Sequence, residues 1–530
     1  MIRNKLLLFS SLLALLVVFS CNYQEQEKNS SPVTRQLSES QYNEKYRPQI
    51  HFSPDSMWMN DPNGMVYYDG EYHLFYQYYP EDIVWGPMHW GHAISTDLVR
   101  WEHLPIALYP DEHGYIFSGS AVVDHNNTSG LGTEEQPPMV AIFTYHDAEA
   151  ADKGSIDYQT QGIAYSLDRG RNWTKYDQNP VLPNPGLRDF RDPKVMWYPR
   201  EEMWIMSLAA GDHIRFYSSP DLIHWDFEGE FGSNAGAHGG VWECPDLFPL
   251  MVGSVKKWVL LVSINPGGPF GGSATQYFIG QFNGKTFVND NSDSAILWLD
   301  HGRDNYAGVT YSNIPEKDGR RIFIGWMSNW DYGQEVPTKR WRSAMTIPRT
   351  LELKNTEEGI RLFSRPVIEL ETLRKDTTRL NIGLIPENQN ITIPLEIPCE
   401  IDLQFTTNGN HPEADSRFGL SLFNAMGEQM TIGFRPAEQE FYTDRRSSSK
   451  RVFNEGFESV QYARFNPEDG QIEMRLYIDV SSVELFAGDG EVVMTDLFFP
   501  VEEYDSLTFF SQDTEAILQK GILYSLQPIW

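Results

Sequence analysis

The chain has 530 residues, 41% hydrophobic and 22% charged, the balance of an ordinary globular protein with room for two domains. Its 42 Lys and Arg face 73 Asp and Glu, a net charge of −31 that repels polyanions, excludes nucleic acid as a partner and suits a neutral substrate. Of three cysteines only Cys244 and Cys399 follow Cys21, so no disulfide framework organises the fold, and Cys244 reads as a small buried hydrophobe rather than a nucleophile.

The N-terminus reads as an export signal: Arg3 and Lys5, an apolar run over Leu6–Phe19, then Ser20-Cys21. The run is too short for a comfortable transmembrane helix. Val18-Phe19-Ser20-Cys21 resembles a bacterial lipobox, which makes Cys21 a lipidation site and residues 1–21 a lipoprotein-type signal. An ordinary secretory signal with an incidental cysteine is the alternative, and both lead out of the cytoplasm. The expected location is the bacterial cell envelope, periplasmic or surface-exposed, with membrane contact only through the lipid. Residues 22–44 are polar and poor in apolar side chains, as in a flexible tether.

From residue 45 a unit repeats. Asp61-Pro62, Asp192-Pro193 and Glu243-Cys244-Pro245 each precede an apolar stretch, a polar turn and an aromatic-rich stretch. Ser95–Trp101 (Ser-Thr-Asp-Leu-Val-Arg-Trp) returns as Ser219–Trp225 and, with one insertion, as Ser166–Trp173. In each string a strand ends at Ser, Asp makes a turn, and Trp packs back. Units open near Asp61, Ser118, Asp192, Glu243 and Asp304, roughly 50 to 75 residues apart, the spacing of β-propeller blades. The expectation is an all-β chain with a five-bladed propeller over 45–350 and a linker over 351–375, with a short helix near Ser364–Lys375. An antiparallel β-sandwich follows over 376–530, with a hairpin turn at Gly488-Asp489-Gly490.

In a propeller the inner strands converge on one funnel, so an acid at the start of each points into a common cavity. Two carboxyls about 5 Å apart allow double displacement at a sugar, one attacking and the other protonating the leaving oxygen. Asp61 lies among Asn60, Asn63 and Gly64, whose donors favour an ionised nucleophile. Glu243 lies between Trp242 and Cys244-Pro245, an apolar setting suited to an acid/base, and Arg191 holds Asp192 charged to offset developing cation. Read singly, an Asp-Pro is a turn; three acids in register outweigh that reading. Gln77, the loop Trp85–His92, Phe117-Ser118, Tyr306 and Trp326 fall near the same cavity. No residues have zinc-site spacing and Gly267–Gly272 is no phosphate loop, so neither metal nor cofactor is expected.

Trp58–Gly64, Phe117–Ser120, Arg191-Asp192-Pro193 and Glu243-Cys244-Pro245, in that order, resemble glycoside hydrolase family 32, the invertases, inulinases and levanases. Asp444-Arg445 and Asp479–Phe486 resemble strings of that family's C-terminal sandwich. The resemblance implies retaining cleavage of β-fructofuranosides, fructan or sucrose, by Asp61, Asp192 and Glu243. It implies a fructose pocket of Asn60, Gln77, Trp85, Phe117, Ser118 and Arg191, with Tyr306 and Trp326 as weaker matches. Asn305 and Gly308 depart from the pattern. The expected action is exo; an endo-levanase is the runner-up, and a surface glycan-binding propeller without turnover is the rival of another class. The sandwich reads as a brace rather than a binding module. Oligomeric state is not encoded legibly.

Overall fold

The repeated Ser-x-Asp string builds one turn three times. Asp97 Oδ1 accepts from the backbone N–H of Val99 (3.0 Å) and Arg100 (2.8 Å), while Leu98 takes a left-handed φ of 65°. Asp221 does the same with Ile223 (2.9 Å) and His224 (2.8 Å), around Leu222 at φ 65°. Asp168 accepts from Asn172 N at 2.9 Å. The Trp indoles close the turns, Trp173 on Gly170 O and Trp225 on Leu222 O, both at 3.0 Å. Each is a side chain-capped reversal between a blade's third and fourth strands.

A computed structural model describes residues 42–133, 135–407, 415–467 and 470–530. The signal, Cys21 and the tether up to residue 41 lie outside the described residues. Tyr42, expected in the tether, is buried and stacks on Trp530 with ring centroids 4.2 Å apart. The fold is a five-bladed β-propeller followed by a β-sandwich. The blades' inner strands are Met57–Tyr68, Tyr115–Val123, Phe190–Tyr198, Val241–Val252 and Tyr306–Thr310, each touching the next around the axis.

All five inner strands carry a bulge at the same height. Register slips leave Asn60-Asp61 opposite Gln77, Phe117-Ser118 opposite Thr144 and Asp192-Pro193 opposite Leu208. Cys244-Pro245 likewise faces Val262, and Ala307-Gly308 faces Gly325. A bulge leaves its extra residue out of the ladder and bends the strand, which re-aims side chains. This accommodates Pro193 and Pro245, which lie in the bulges, while Pro62 stands just past its bulge, opposite Tyr76. Proline has no N–H for a central strand, but a bulge asks for none. Asp192, Cys244 and Ala307 accordingly take φ of 66°, 46° and 53°.

The propeller extends further than the sequence repeat. Arg349–Thr356 and Gly359–Pro366 form the outer hairpin of the fifth sheet, where a linker was expected, and only the short 3-10 helix Ile368–Leu373 bridges to the sandwich. The hairpin lacks the Asp-turn-Trp string, so nothing local marked it as blade. The sandwich packs a seven-stranded sheet on a six-stranded one over a core including Leu403, Leu420, Ile432, Leu476 and Phe509.

Propeller and sandwich are joined by buried charges. Arg349 donates to Asp300 (2.9 Å), to Thr495 (2.7 Å) and to Glu484; Arg445 donates to Asp304 (2.6 Å) and Tyr332 (2.8 Å). His51 bridges Asp479 (2.7 Å) and Glu484 (2.9 Å). Burial alone would push His51 down, but the two carboxylates outweigh it and raise its pKa to about 9. Arg445, Asp479 and Glu484, from the family-like strings, are thus clamp residues.

Candidate active site

The bulges bring the three acids together around one thiol. Cys244 Sγ lies 3.7 Å from Asp61 Oδ2 and 3.6 Å from Asp192 Oδ2. Arg191 ties the third acid in, donating from Nε (3.1 Å) and Nη2 (2.9 Å) to Glu243 Oε1 with Nε 4.0 Å from Asp192 Oδ2. Asp192 is 5% exposed, whereas the Glu243 side chain keeps 19% exposure, an opening to solvent.

Asp61 accepts from Ser118 Oγ (2.6 Å) and Asn60 Nδ2 (3.0 Å). Asn60 is itself fixed by the Trp58 indole at 2.7 Å. Burial and the Glu243 charge nevertheless push the Asp61 carboxyl above its ordinary range, against the two donors that hold it down. Asp192 is also pushed up, first by burial; Arg191 opposes this, and the Glu243 and Asp61 charges add to it. Arg191 is thus the main influence favouring the charged form of Asp192, as expected, with burial and the two neighbouring acids working against it. Three acids crowd one low-dielectric site, and the guanidinium's bonds go to Glu243 and Asp189 instead.

Glu243 is not in the apolar setting its sequence neighbours suggested. Trp242 points to the opposite side of the strand, into the core with Leu260 and Phe278. What faces Glu243 comes from elsewhere in the chain: Arg191 and the Tyr306 hydroxyl, which donates to Oε2. The Cys244 thiol is buried and raised well above its usual range, first by burial and then by Asp192 and Asp61, which disfavours the thiolate that a nucleophile needs.

Of the expected pocket residues, Asn60, Ser118, Arg191 and Tyr306 touch an acid directly. Gln77 is buried, donating to Ile116 O at 3.0 Å and so linking the first two blades. Trp85, 37% exposed, meets Phe117 edge-on at 6.1 Å, and Phe117 stacks on His146 at 4.2 Å, giving an aromatic rim. Trp326 is wholly buried behind Trp58 (6.0 Å) and Tyr306 (6.4 Å), supporting the wall rather than forming it. Half-buried Trp330, packed on Trp58 at 5.9 Å, was missed. So was Asp189, which takes Arg191 Nη1 at 2.7 Å and the Tyr158 hydroxyl at 3.1 Å. An acid two residues before Arg191 was its only signal. Gly308 is explained by packing, since a Cβ there would strike the Phe323 ring.

The N-terminal domain of glycosyl hydrolases family 32 matches residues 51–366, and the family's C-terminal domain matches 369–524. The chain is 48% identical over 497 residues to a levanase of Bacillus subtilis (strain 168), across 93% of this chain and 72% of the levanase. It is 40% identical over 524 residues to an extracellular exo-inulinase of Aspergillus awamori, across 92% and 96%. The crystal structure of an exo-inulinase from Aspergillus awamori superposes with a TM-score of 0.85 at 36% identity, covering 92% of this chain and 100% of that one. A β-fructofuranosidase from Schwanniomyces occidentalis complexed with fructosyl-erythritol follows at 0.83 and 32%, covering 92% and 98%. Both halves of the family's architecture are present in order, and the chain belongs to glycoside hydrolase family 32, as a glycoside hydrolase.

Proposed function

We propose that the protein hydrolyses β-D-fructofuranosyl linkages of fructans, and sucrose, from the chain end and with retention of configuration. The observation that carries this is the convergence of Asp61, Asp192 and Glu243 around Cys244 and Arg191. Asp61, oriented by Ser118 and Asn60, attacks the anomeric carbon of the terminal fructosyl unit. The bond to the leaving oxygen breaks as Glu243 gives that oxygen a proton. Glu243 then takes a proton from water, whose oxygen attacks the same carbon and frees Asp61. Asp192, with its raised pKa, exchanges hydrogen bonds with ring hydroxyls next to the reacting centre, and Arg191 and Tyr306 fix Glu243.

Similarity to a levanase and to an exo-inulinase supports fructan as substrate and exo action. Export is supported by the relative named as extracellular and by the signal-like N-terminus, with Cys21 as the lipid anchor. The test is incubation with sucrose, inulin and levan, with products resolved by size. Fructose alone is expected. A ladder of oligosaccharides would replace exo by endo action, and no release from any of the three would overturn the hydrolase of fructosides.

A further inference from the structure

A second cleft, of about 730 Å³, lies on the outer face of the six-stranded sandwich sheet and shares no residue with the catalytic pocket. That size is ordinary for a small-ligand site. Its floor follows from the cross-strand rows. In one row Asn390, Phe510, Gly419, Gly433 and Tyr442 stand side by side across five strands. Glycine weakens a strand interior, and it recurs where something approaches the backbone closely. Here a Cβ at Gly433 would come within 2.7 Å of the Tyr442 ring, so its absence lets that ring lie down on the strand. The neighbouring row, Thr392, Thr508, Ser421, Thr431 and Asp444, is polar throughout.

Two groups lack the partners a purely structural surface would give them. Tyr442 lines the cleft with its ring almost covered, and its hydroxyl, bonded to no protein group among the described residues, is open to the cleft. Arg417 bonds Gln512 through Nε at 2.9 Å and meets no carboxylate among the described residues, leaving the rest of its fork for a ligand.

The cleft's charges balance: Arg417 and Arg446 against Glu428 and Asp444. Arg446 and Asp444 neutralise each other through two bonds of 3.0 and 2.6 Å. In a chain of net charge −31, a balanced lining rich in hydroxyls and amides with a half-exposed Phe510 ring suits a neutral polyol, not an ion. We propose that this cleft binds a stretch of the fructan chain, so that the sandwich holds the polymer whose end the propeller cleaves. This rests on the fructan reading above. A second site on one molecule raises the effective concentration of a long substrate and does nothing for one too short to reach both.

The test is the double variant Phe510→Ala/Arg446→Ala, neither residue belonging to the catalytic pocket. On sucrose, kcat/KM is expected to stay within about twofold of the parent, while KM on high-mass levan or inulin rises about tenfold. In native gels containing that fructan, Glu243→Gln carrying the same pair is expected to be retarded less than Glu243→Gln alone. Unchanged KM on polymer together with unchanged retardation would overturn the second site. If the pair lowers sucrose and polymer turnover equally, the fold is damaged and Asn390→Ala/Gln429→Ala, at two exposed positions, decides by the same criteria. If the parent protein cleaves no fructan, the fructan reading itself fails, a result distinct from parent turnover that the cleft variants leave untouched.

Discussion

Ser118 offers the sharpest handle on how the pocket keeps Asp61 reactive. Its hydroxyl donates to Asp61 Oδ2 at 2.6 Å, one of two side-chain donors opposing the burial and the Glu243 charge that push this carboxyl up. Ser118→Ala removes a hydrogen bond to a charged acceptor, worth about 1.5–3 kcal/mol. The bond favours the ionised form, so losing it raises the carboxyl's pKa, and about 1.4 kcal/mol corresponds to one pH unit. The acid limb of kcat/KM is therefore expected to move up by about one to two pH units. That limb belongs to the coupled acids together, and no neighbour of Asp61 other than Ser118 is altered. The assay is the pH profile of kcat/KM on sucrose, parent against variant. An acid limb that stays in place while activity falls uniformly would refute the reasoning, since it would mean that Ser118 shapes the pocket without tuning Asp61.

Asp189→Asn removes the charge that holds Arg191 Nη1 at 2.7 Å; kcat/KM on sucrose is expected to fall about tenfold, equal to roughly 1.4 kcal/mol, with the fold's Tm little changed. His51, raised from 6.5 to about 9 by Asp479 and Glu484 despite burial, contributes stability that is fully present below about pH 6.5 and lost as pH rises through about 9. The contribution is at most roughly 3 kcal/mol, and His51→Gln is expected to flatten the fall of Tm across that window. Cys21→Ala is expected to move the protein from the membrane fraction to the soluble fraction with kcat/KM unchanged, as fractionation and assay would show.

Much of this was legible in the chain because the acids and the turns recur at one place in each unit. The acids of Asp61-Pro62, Asp192-Pro193 and Glu243-Cys244-Pro245 could be found because each opens its unit, but the bulges that aim them depend on cross-strand register and were not foreseen. The Ser-x-Asp turns were equally visible, their capping bonds being local. The environment of Glu243 was not. Strand alternation sends Trp242 to the far face, and the groups that meet the carboxylate stand 52 and 63 residues away, Arg191 and Tyr306. Asp189 escaped for the same reason: its value lies in what Arg191 and Tyr158 do with it. The fifth blade's outer hairpin, Arg349–Thr356 and Gly359–Pro366, carries no capping string and read as linker.

Trapping the intermediate bears most directly on the chemistry. Glu243→Gln, given a fructosyl donor whose fluoride leaves without protonation, is expected to accumulate one anhydrofructosyl unit covalently bound to Asp61, identified by peptide mass spectrometry. The adduct on another side chain, or free fructose appearing first in the inverted anomeric form with no adduct, would contradict the assignment of Asp61 as the attacking group.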